Sequence, residues 1–279
     1  MNRSLLILTL LVITLSWSLA QSPFRVILSY GNNYEKNEKG FSQLNNGTLL
    51  QAKDEIIIMP NGSVILMDIE GRLLELALDG RYLIANLDLS DLSSPSALIY
   101  QEWEAFYKPK RQIIQPIFIE KTDLDDFRLD FPASTAVYSR FIQIEWPDLS
   151  DQYQITIRDE YDMIIERFEK ESPGFQLDLL SQNLAFRDFI AIDVLAINRL
   201  RSTGIHVLDK LSPPEQETLD QLLRIFPEEN DLIIGLTKAA ILNNRGLYAD
   251  ASSLLLNLKK TNKGKLEGFY QYYLKLNGF

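Results

Sequence analysis

Cysteine is absent from the 279 residues. That excludes disulfides, thiol nucleophiles, cysteine-ligated zinc, and lipid attachment at a cysteine behind a leader. Histidine occurs once, at His206, and zinc enzymes without cysteine ordinarily use at least two. A Ser-His-acid triad would have to be built on His206, yet no Gly-x-Ser-x-Gly elbow occurs. In Gly204-Ile205-His206-Val207-Leu208 the residue reads as a histidine at a strand end or domain seam. Neither Gly-x-x-x-x-Gly-Lys nor Gly-x-Gly-x-x-Gly is present, so no phosphate-cradling loop is expected. Positive charge is also short. Lys plus Arg is 28 against 38 for Asp plus Glu, a net charge of −10. Such a surface repels phosphate backbones and anionic headgroups, and the one basic knot, Lys108-Pro109-Lys110-Arg111, is too small to reverse that. Nucleic acid is therefore excluded as a partner. No catalytic, cofactor-binding or metal-ligating residue is assigned, and no cofactor is expected.

No apolar run reaches the roughly 20 residues of a membrane span. The longest, Leu5 to Ile13, follows Arg3 and precedes Ser18-Leu19-Ala20. A positive start, a short apolar stretch and small residues at a peptidase site describe a secretory signal peptide over 1–20. Gln21 is then the mature N-terminus, and loss of Arg3 leaves 27 basic against 38 acidic residues, a net −11. The expected compartment is extracytoplasmic, periplasmic or secreted, with no stable membrane span after cleavage. A disulfide-free secreted chain leans toward a bacterial envelope. Asn46-Gly47-Thr48 and Asn61-Gly62-Ser63 fit the glycosylation pattern, but Asn-Gly reads first as a turn.

At 46% hydrophobic content the chain can bury real cores, and its length suits about two or three compact units. The pattern predicts a multi-domain α+β protein. A small antiparallel β barrel or sandwich is expected over 21–89, and a linker helix with a connector over 90–136. A second β-sandwich follows over 137–209, and an all-helical segment over 210–279.

Between Phe24 and Leu87, strand-like runs such as Arg25–Tyr30, Glu55–Met59, Ser63–Asp68 and Arg72–Leu76 are separated by Asn61-Gly62, Glu70-Gly71 and Asp79-Gly80. The series Gly47-Thr48-Leu49-Leu50, Asp54-Glu55-Ile56, Asn61 to Leu66 and Gly71 to Leu76 resembles the FecR-like extracytoplasmic domain. The resemblance implies a small β-rich unit. The family's signal-transducing role is not implied, because those members carry a cytoplasmic region ahead of their membrane span, whereas the apolar run here begins at Leu5.

Ser90 to Lys108 reads as one amphipathic helix, capped by Asp91 or Ser93, with Pro95 in its first turn and Trp103, Phe106 and Tyr107 on one face. A short strand is possible at Ile117-Phe118-Ile119. Beyond Val137, alternation in Arg140–Pro147, Tyr153–Arg158, Met163–Phe168, Gly174–Leu179 and Phe189–Ala196 predicts strands, with a helical piece near Leu180–Phe186. Ile144-Glu145-Trp146-Pro147 followed by Tyr153-Gln154-Ile155-Thr156-Ile157 resembles the tryptophan and tyrosine strands of a fibronectin-type-III or immunoglobulin-like sandwich.

Ser212-Pro213-Pro214-Glu215 is a helix start with capping-box spacing, and Pro227 follows the end of that helix. A second helix begins at Asn230 or Asp231, a third after Gly246, and a fourth near Lys263. Gly246-Leu247-Tyr248-Ala249-Asp250-Ala251 resembles the inter-helix turn of a tetratricopeptide repeat, implying a helical hairpin that binds protein.

Carboxylates remain as potential chemistry. Asp123, Asp125 and Asp126 cluster in the connector, and Glu102 and Glu104 flank Trp103. Paired acids about 5 to 10 Å apart can hydrolyse glycosides. The same acids read equally as a solvated loop and helix surface, and a calcium loop would need a glycine and terminal glutamate that are missing. Among the aromatics, Trp146 and Tyr153 are expected in a core, whereas Tyr248, Tyr270, Tyr272 and Tyr273 are a possible interaction surface. The leading expectation is a non-catalytic protein–protein interaction or scaffold module whose partner is another envelope protein. A carbohydrate or cell-wall binding module is the alternative, and a carboxylate-based glycoside hydrolase the second alternative.

Overall fold

The computed structural model describes residues 23–90, 93–94, 96–108, 127–226, 231–262 and 264–279. The leader, Asp91, Pro95, the strand expected at 117–119, the acids Asp123, Asp125 and Asp126, the basic run beyond Lys108, and Pro227, Asn230 and Lys263 lie outside them. The described residues form a mixed α+β protein with several antiparallel sheets and five α-helices. None of these helices is long and apolar enough to cross a membrane. The chain divides into two compact units, one up to Glu104 and one from Ala105.

In the first unit, strands β1 (Phe24–Tyr30), β4 (Leu49–Leu50), β6 (Ser63–Met67) and β7 (Leu73–Leu76) pair in the order β4-β1-β6-β7. Strands β2 (Tyr34–Asn37), β3 (Gly40–Gln43), β5 (Glu55–Ile58) and β8 (Gly80–Leu83) pair as β3-β2-β5-β8. One buried cluster serves both sheets: Phe24 and Val26 of β1 and Leu66 of β6 meet Ile56 and Ile58 of β5. The described strands do not close into a barrel, which corrects that part of the expectation. Glu70-Gly71 does make a hairpin, β6–β7. Asn61-Gly62 and Asp79-Gly80 instead carry the chain from one sheet to the other. A glycine turn reverses the chain but does not choose the sheet it returns to.

The β6–β7 turn shows its cause. The Asp68 carboxylate accepts the backbone N–H groups of Glu70 and Arg72, each at 2.9 Å, and pairs with the Arg72 guanidinium at 2.6 Å. Gly71 sits at φ +74°, and a Cβ there would stand 2.1 Å from the Ser96 carbonyl oxygen. Only glycine meets both conditions. Helix α1 (Ala97–Tyr107) follows, with Trp103 and Phe106 buried.

In the second unit, a sheet runs β12 (Ile164–Lys170), β11 (Tyr153–Arg158), β14 (Phe189–Ala196), β16 (His206–Lys210), β9 (Ser134–Val137). β9 lies parallel to β16, and β15 (Arg201–Ser202) pairs β14. A two-stranded sheet pairs β10 (Phe141–Ile144) with β13 (Phe175–Asp178). Their alternating apolar residues share one core, with Ile142 and Leu177 from the small sheet and Ile155, Ile157, Ile192 and Val194 from the large one. Trp146 meets Tyr153 edge-on at 5.4 Å inside it. Leu180–Phe186 folds as successive turns instead of a helix.

Helices α2 (Pro213–Leu223), α3 (Leu232–Asn244), α4 (Tyr248–Thr261) and α5 (Glu267–Asn277) complete the unit. Ser212 and Glu215 form the capping box of α2, and the Asp231 carboxylate caps α3 through the Ile233 N–H at 2.7 Å. Helix α4 packs against the sheets. Ala249 of α4 belongs to the sheet cluster, and the Ser253 hydroxyl accepts the Gln143 N–H of β10 at 2.9 Å.

Candidate functional site

The polar groups buried in the second unit are structural in arrangement. Asp250, in the first turn of α4, accepts the backbone N–H groups of Tyr138 and Ser139 at 3.0 and 2.6 Å. Burial pushes its carboxyl up, and those N–H groups pull it back. His206 opens β16, is buried edge-on against Phe131, and places Nδ1 3.1 Å from the Pro132 carbonyl. Burial lowers its pKa, which favours the neutral ring.

Asp130 is a second raised carboxyl. Burial first, then the nearby Glu145, push it up to about 6, while the Tyr270 hydrogen bond and Lys259 oppose the rise. The Tyr270 hydroxyl donates to Asp130 at 2.6 Å and lies 2.9 Å from the Ser252 hydroxyl. Lys259 sits over the Tyr270 ring at 5.2 Å and pairs with Glu267 at 2.7 Å, and Lys260 pairs with Glu145 at 3.1 Å. Asp130 and Tyr270 are 140 positions apart, so no local motif announces the pair. Its chemistry is that of a buried clasp between the segment before β9 and α5.

This clasp corrects part of the expected aromatic surface. Tyr270 and Tyr273 are buried at 2% and 0% exposure, because they share one face of α5 with Leu266 and Phe269. Tyr273 donates to the Tyr248 carbonyl at 3.2 Å. Tyr248 and Tyr272 are half-buried, with Tyr248 against Phe279 and Tyr272 against Tyr107. The four tyrosines hold helices together and do not form an exposed row.

In the first unit, Arg25, Met67, Asp68, Tyr100 and Glu104 line a hollow of about 170 Å³. Its charges already serve one another. Arg25 Nε meets Glu104 Oε1 at 2.6 Å, and Arg25 Nη1 donates to the Gly47 carbonyl at 3.0 Å. Glu104, one of the acids considered for hydrolysis, is thus committed to an ion pair, and Glu102 is buried. Among the described residues no three His, Asp or Glu side chains converge as a metal site.

Among the described residues, the β11–β12 hairpin is one place where large apolar side chains stand exposed. Tyr161 and Met163 at its tip are 75% and 65% exposed, and Ile164 is also exposed. The turns at 181–187 are tied to this hairpin. Arg187 reaches Asp159 at 3.3 Å and Glu160 at 3.8 Å, and Asn183 donates to Glu166 at 2.9 Å. Those ties bring Phe186, at 95% exposure, to the same end of the sheet. The sequence signal was available. Tyr161-Asp162-Met163 lies in a tight turn, with Asp162 at φ 61°, where large apolar residues have no core to enter.

The chain matches no protein-family model and no curated protein.

Proposed function

We propose that this is a non-catalytic extracytoplasmic protein, periplasmic or secreted, acting as a protein–protein interaction or scaffold module of a bacterial envelope. The observation that carries the reading is a set of exposed apolar side chains at one end of the large sheet, Tyr161, Met163 and Ile164 on the hairpin and Phe186 on the turns tied to it, beside the ion pairs Arg158–Asp162 and Arg187–Glu160. An apolar centre with a polar rim is the anatomy of a protein interface. The leader at 1–20 supplies the compartment, and the acidic surface argues against nucleic acid and anionic lipid.

The finer architecture belongs to the same proposal. Residues 21–89 are a FecR-like β domain, supported by two four-stranded sheets around one core. The β-rich part of the second unit is an immunoglobulin- or fibronectin-like sandwich, supported by Trp146 and Tyr153 at the centre of a core shared by two sheets. Helices α3 and α4 are a tetratricopeptide-like hairpin, supported by Gly246 at φ +77° between them and buried Ala249 and Ala251.

A photo-crosslinking residue at position 161 tests the function in cells that secrete the protein. Capture of a specific envelope protein there, absent at position 81 and lost in Met163→Ser/Phe186→Ser, is the expected result. Glycan capture abolished by Tyr161→Ser would replace it with a carbohydrate-binding role. Glycoside hydrolysis abolished by Glu104→Gln would replace it with the hydrolase.

A further inference from the structure

β12 ends the large sheet, and its outer edge is open. Among the described residues, no backbone hydrogen bond outside the β11 ladder reaches residues 164–170. The strand reads Ile164-Ile165-Glu166-Arg167-Phe168-Glu169-Lys170. Its charges alternate in sign in pairs, and among the described residues none of Glu166, Arg167, Glu169 and Lys170 belongs to an ion pair. β11 offers them no opposite charge, since their cross-strand neighbours there are Ile157, Thr156, Gln154 and Tyr153. Their existing partners are neutral: Asn183 for Glu166, Gln152 for Glu169 and the Gly174 carbonyl for Lys170.

We propose that β12 pairs with β12 of a second copy of this chain, antiparallel and two-fold symmetric about Phe168, joining two large sheets into one. In that register Glu166 faces Lys170 of the other copy, Arg167 faces Glu169, and Phe168 faces itself. Each charge meets its opposite, four ion pairs across one seam. The two-fold axis must stand perpendicular to the sheet, so facing residues come from the same side of it and only every second register is allowed. The allowed register on one side sets Arg167 against Arg167; the one on the other side sets Glu169 against Glu169. Like charges directly opposite are destabilising, so the neighbouring registers are rejected by the same residues that favour the proposed one. Burial agrees with the faces. Arg167 and Glu169 are exposed, whereas Glu166, Phe168 and Lys170 are half-buried on the side where Phe168 meets Phe175 edge-on at 5.4 Å. The register shift between Ile157 and Arg158 confines the seam to 166–170. So short a seam makes a reversible dimer. It uses the strand edge, not the hairpin tip, and stands apart from the envelope partner proposed above.

Sedimentation velocity of the mature protein between about 1 and about 200 µM measures it. The expected result is a concentration-dependent dimer. Arg167→Glu alone and Glu169→Arg alone each bring like charges face to face twice and weaken it at least about tenfold. Mixing the two single variants restores dimers. The glutamate introduced in one copy then faces the arginine introduced in the other, and the native Arg167 and Glu169 that remain face each other. The double variant R167E/E169R restores self-pairing. Both substituted positions are on an open edge, and an unchanged circular dichroism spectrum and melting temperature establish that each variant is folded. A protein that stays monomeric throughout, or a dimer indifferent to the single variants, or single variants that do not recover on mixing, overturns the proposal.

Discussion

Replacing Asp130 with asparagine changes the pH dependence of stability in a direction that burial dictates. The native carboxyl holds its proton up to about pH 6, whereas the unfolded one releases it near 3.8. Between those values the native state binds the extra proton, so the contribution of Asp130 to stability falls as pH rises through that window and is flat above it. A rise from 3.8 to about 6 corresponds to at most about 3 kcal/mol, lessened by whatever water reaches the carboxylate. The asparagine side chain does not titrate, and its oxygen can still accept from Tyr270. The stability of D130N minus that of the native chain should therefore climb by about 1–3 kcal/mol between about pH 4 and about pH 7. Urea unfolding at half-unit steps of pH, read by tryptophan fluorescence, measures that difference. Comparing the two proteins cancels groups common to both. His206 is one; its lowered pKa makes stability rise with pH, the opposite slope. Glu145, Lys259 and Arg128 also face the carboxyl, and they are retained in the variant. A difference that stays level across the window, or that falls with pH, would refute burial as the cause.

Gly71→Ala forces a side chain into left-handed backbone and against the Ser96 carbonyl, so thermal melting should register a loss of at least about 2 kcal/mol. Asp250→Ala strands the Tyr138 and Ser139 N–H groups, and chemical denaturation should register a loss of about 2–4 kcal/mol; Asp250→Asn, which keeps one acceptor, should recover part of it. Ser212→Ala removes half of the α2 capping box and should lower stability by about 1 kcal/mol, seen as faster amide exchange in the first turn of that helix.

Where one face of a strand meets a core, the amino-acid order announces it. β10, β11, β13 and β14 alternate because one side faces the shared cluster, and their positions follow from that alternation. The β2–β3 hairpin does not announce itself. Glu35, Lys36, Ser42 and their neighbours lie on an open sheet end where neither face is fully buried, so the stretch reads as polar loop. The tyrosines of α5 teach the converse. Leu266, Phe269, Tyr270, Tyr273 and Asn277 recur at helical spacing and are all buried, and that period, more than the residue type, was the informative signal. The Asp130–Tyr270–Ser252 clasp joins three distant segments and has no local pattern to detect.

The two ends of the large sheet are finished differently, and the difference bears on function. At the β9 end, α4 supplies the missing partners: the Thr135 hydroxyl accepts the Tyr248 N–H at 3.0 Å and donates to the Gly246 carbonyl at 2.9 Å, and Asp250 takes the two N–H groups that follow the strand. That end is braced by α4 within the unit. At the β12 end, among the described residues, no further strand or helix backbone pairs with the edge, and four of its last five side chains are charged. Charges on an open edge ordinarily repel further strands. A run of one sign would do so in every register. Glu-Arg-Phe-Glu-Lys does so in all the symmetric registers nearest Phe168 except one, so the same five residues discourage indiscriminate stacking and admit a single mate. An edge that served solubility alone would gain nothing from that order, and reversing one charge would leave its behaviour in solution unchanged.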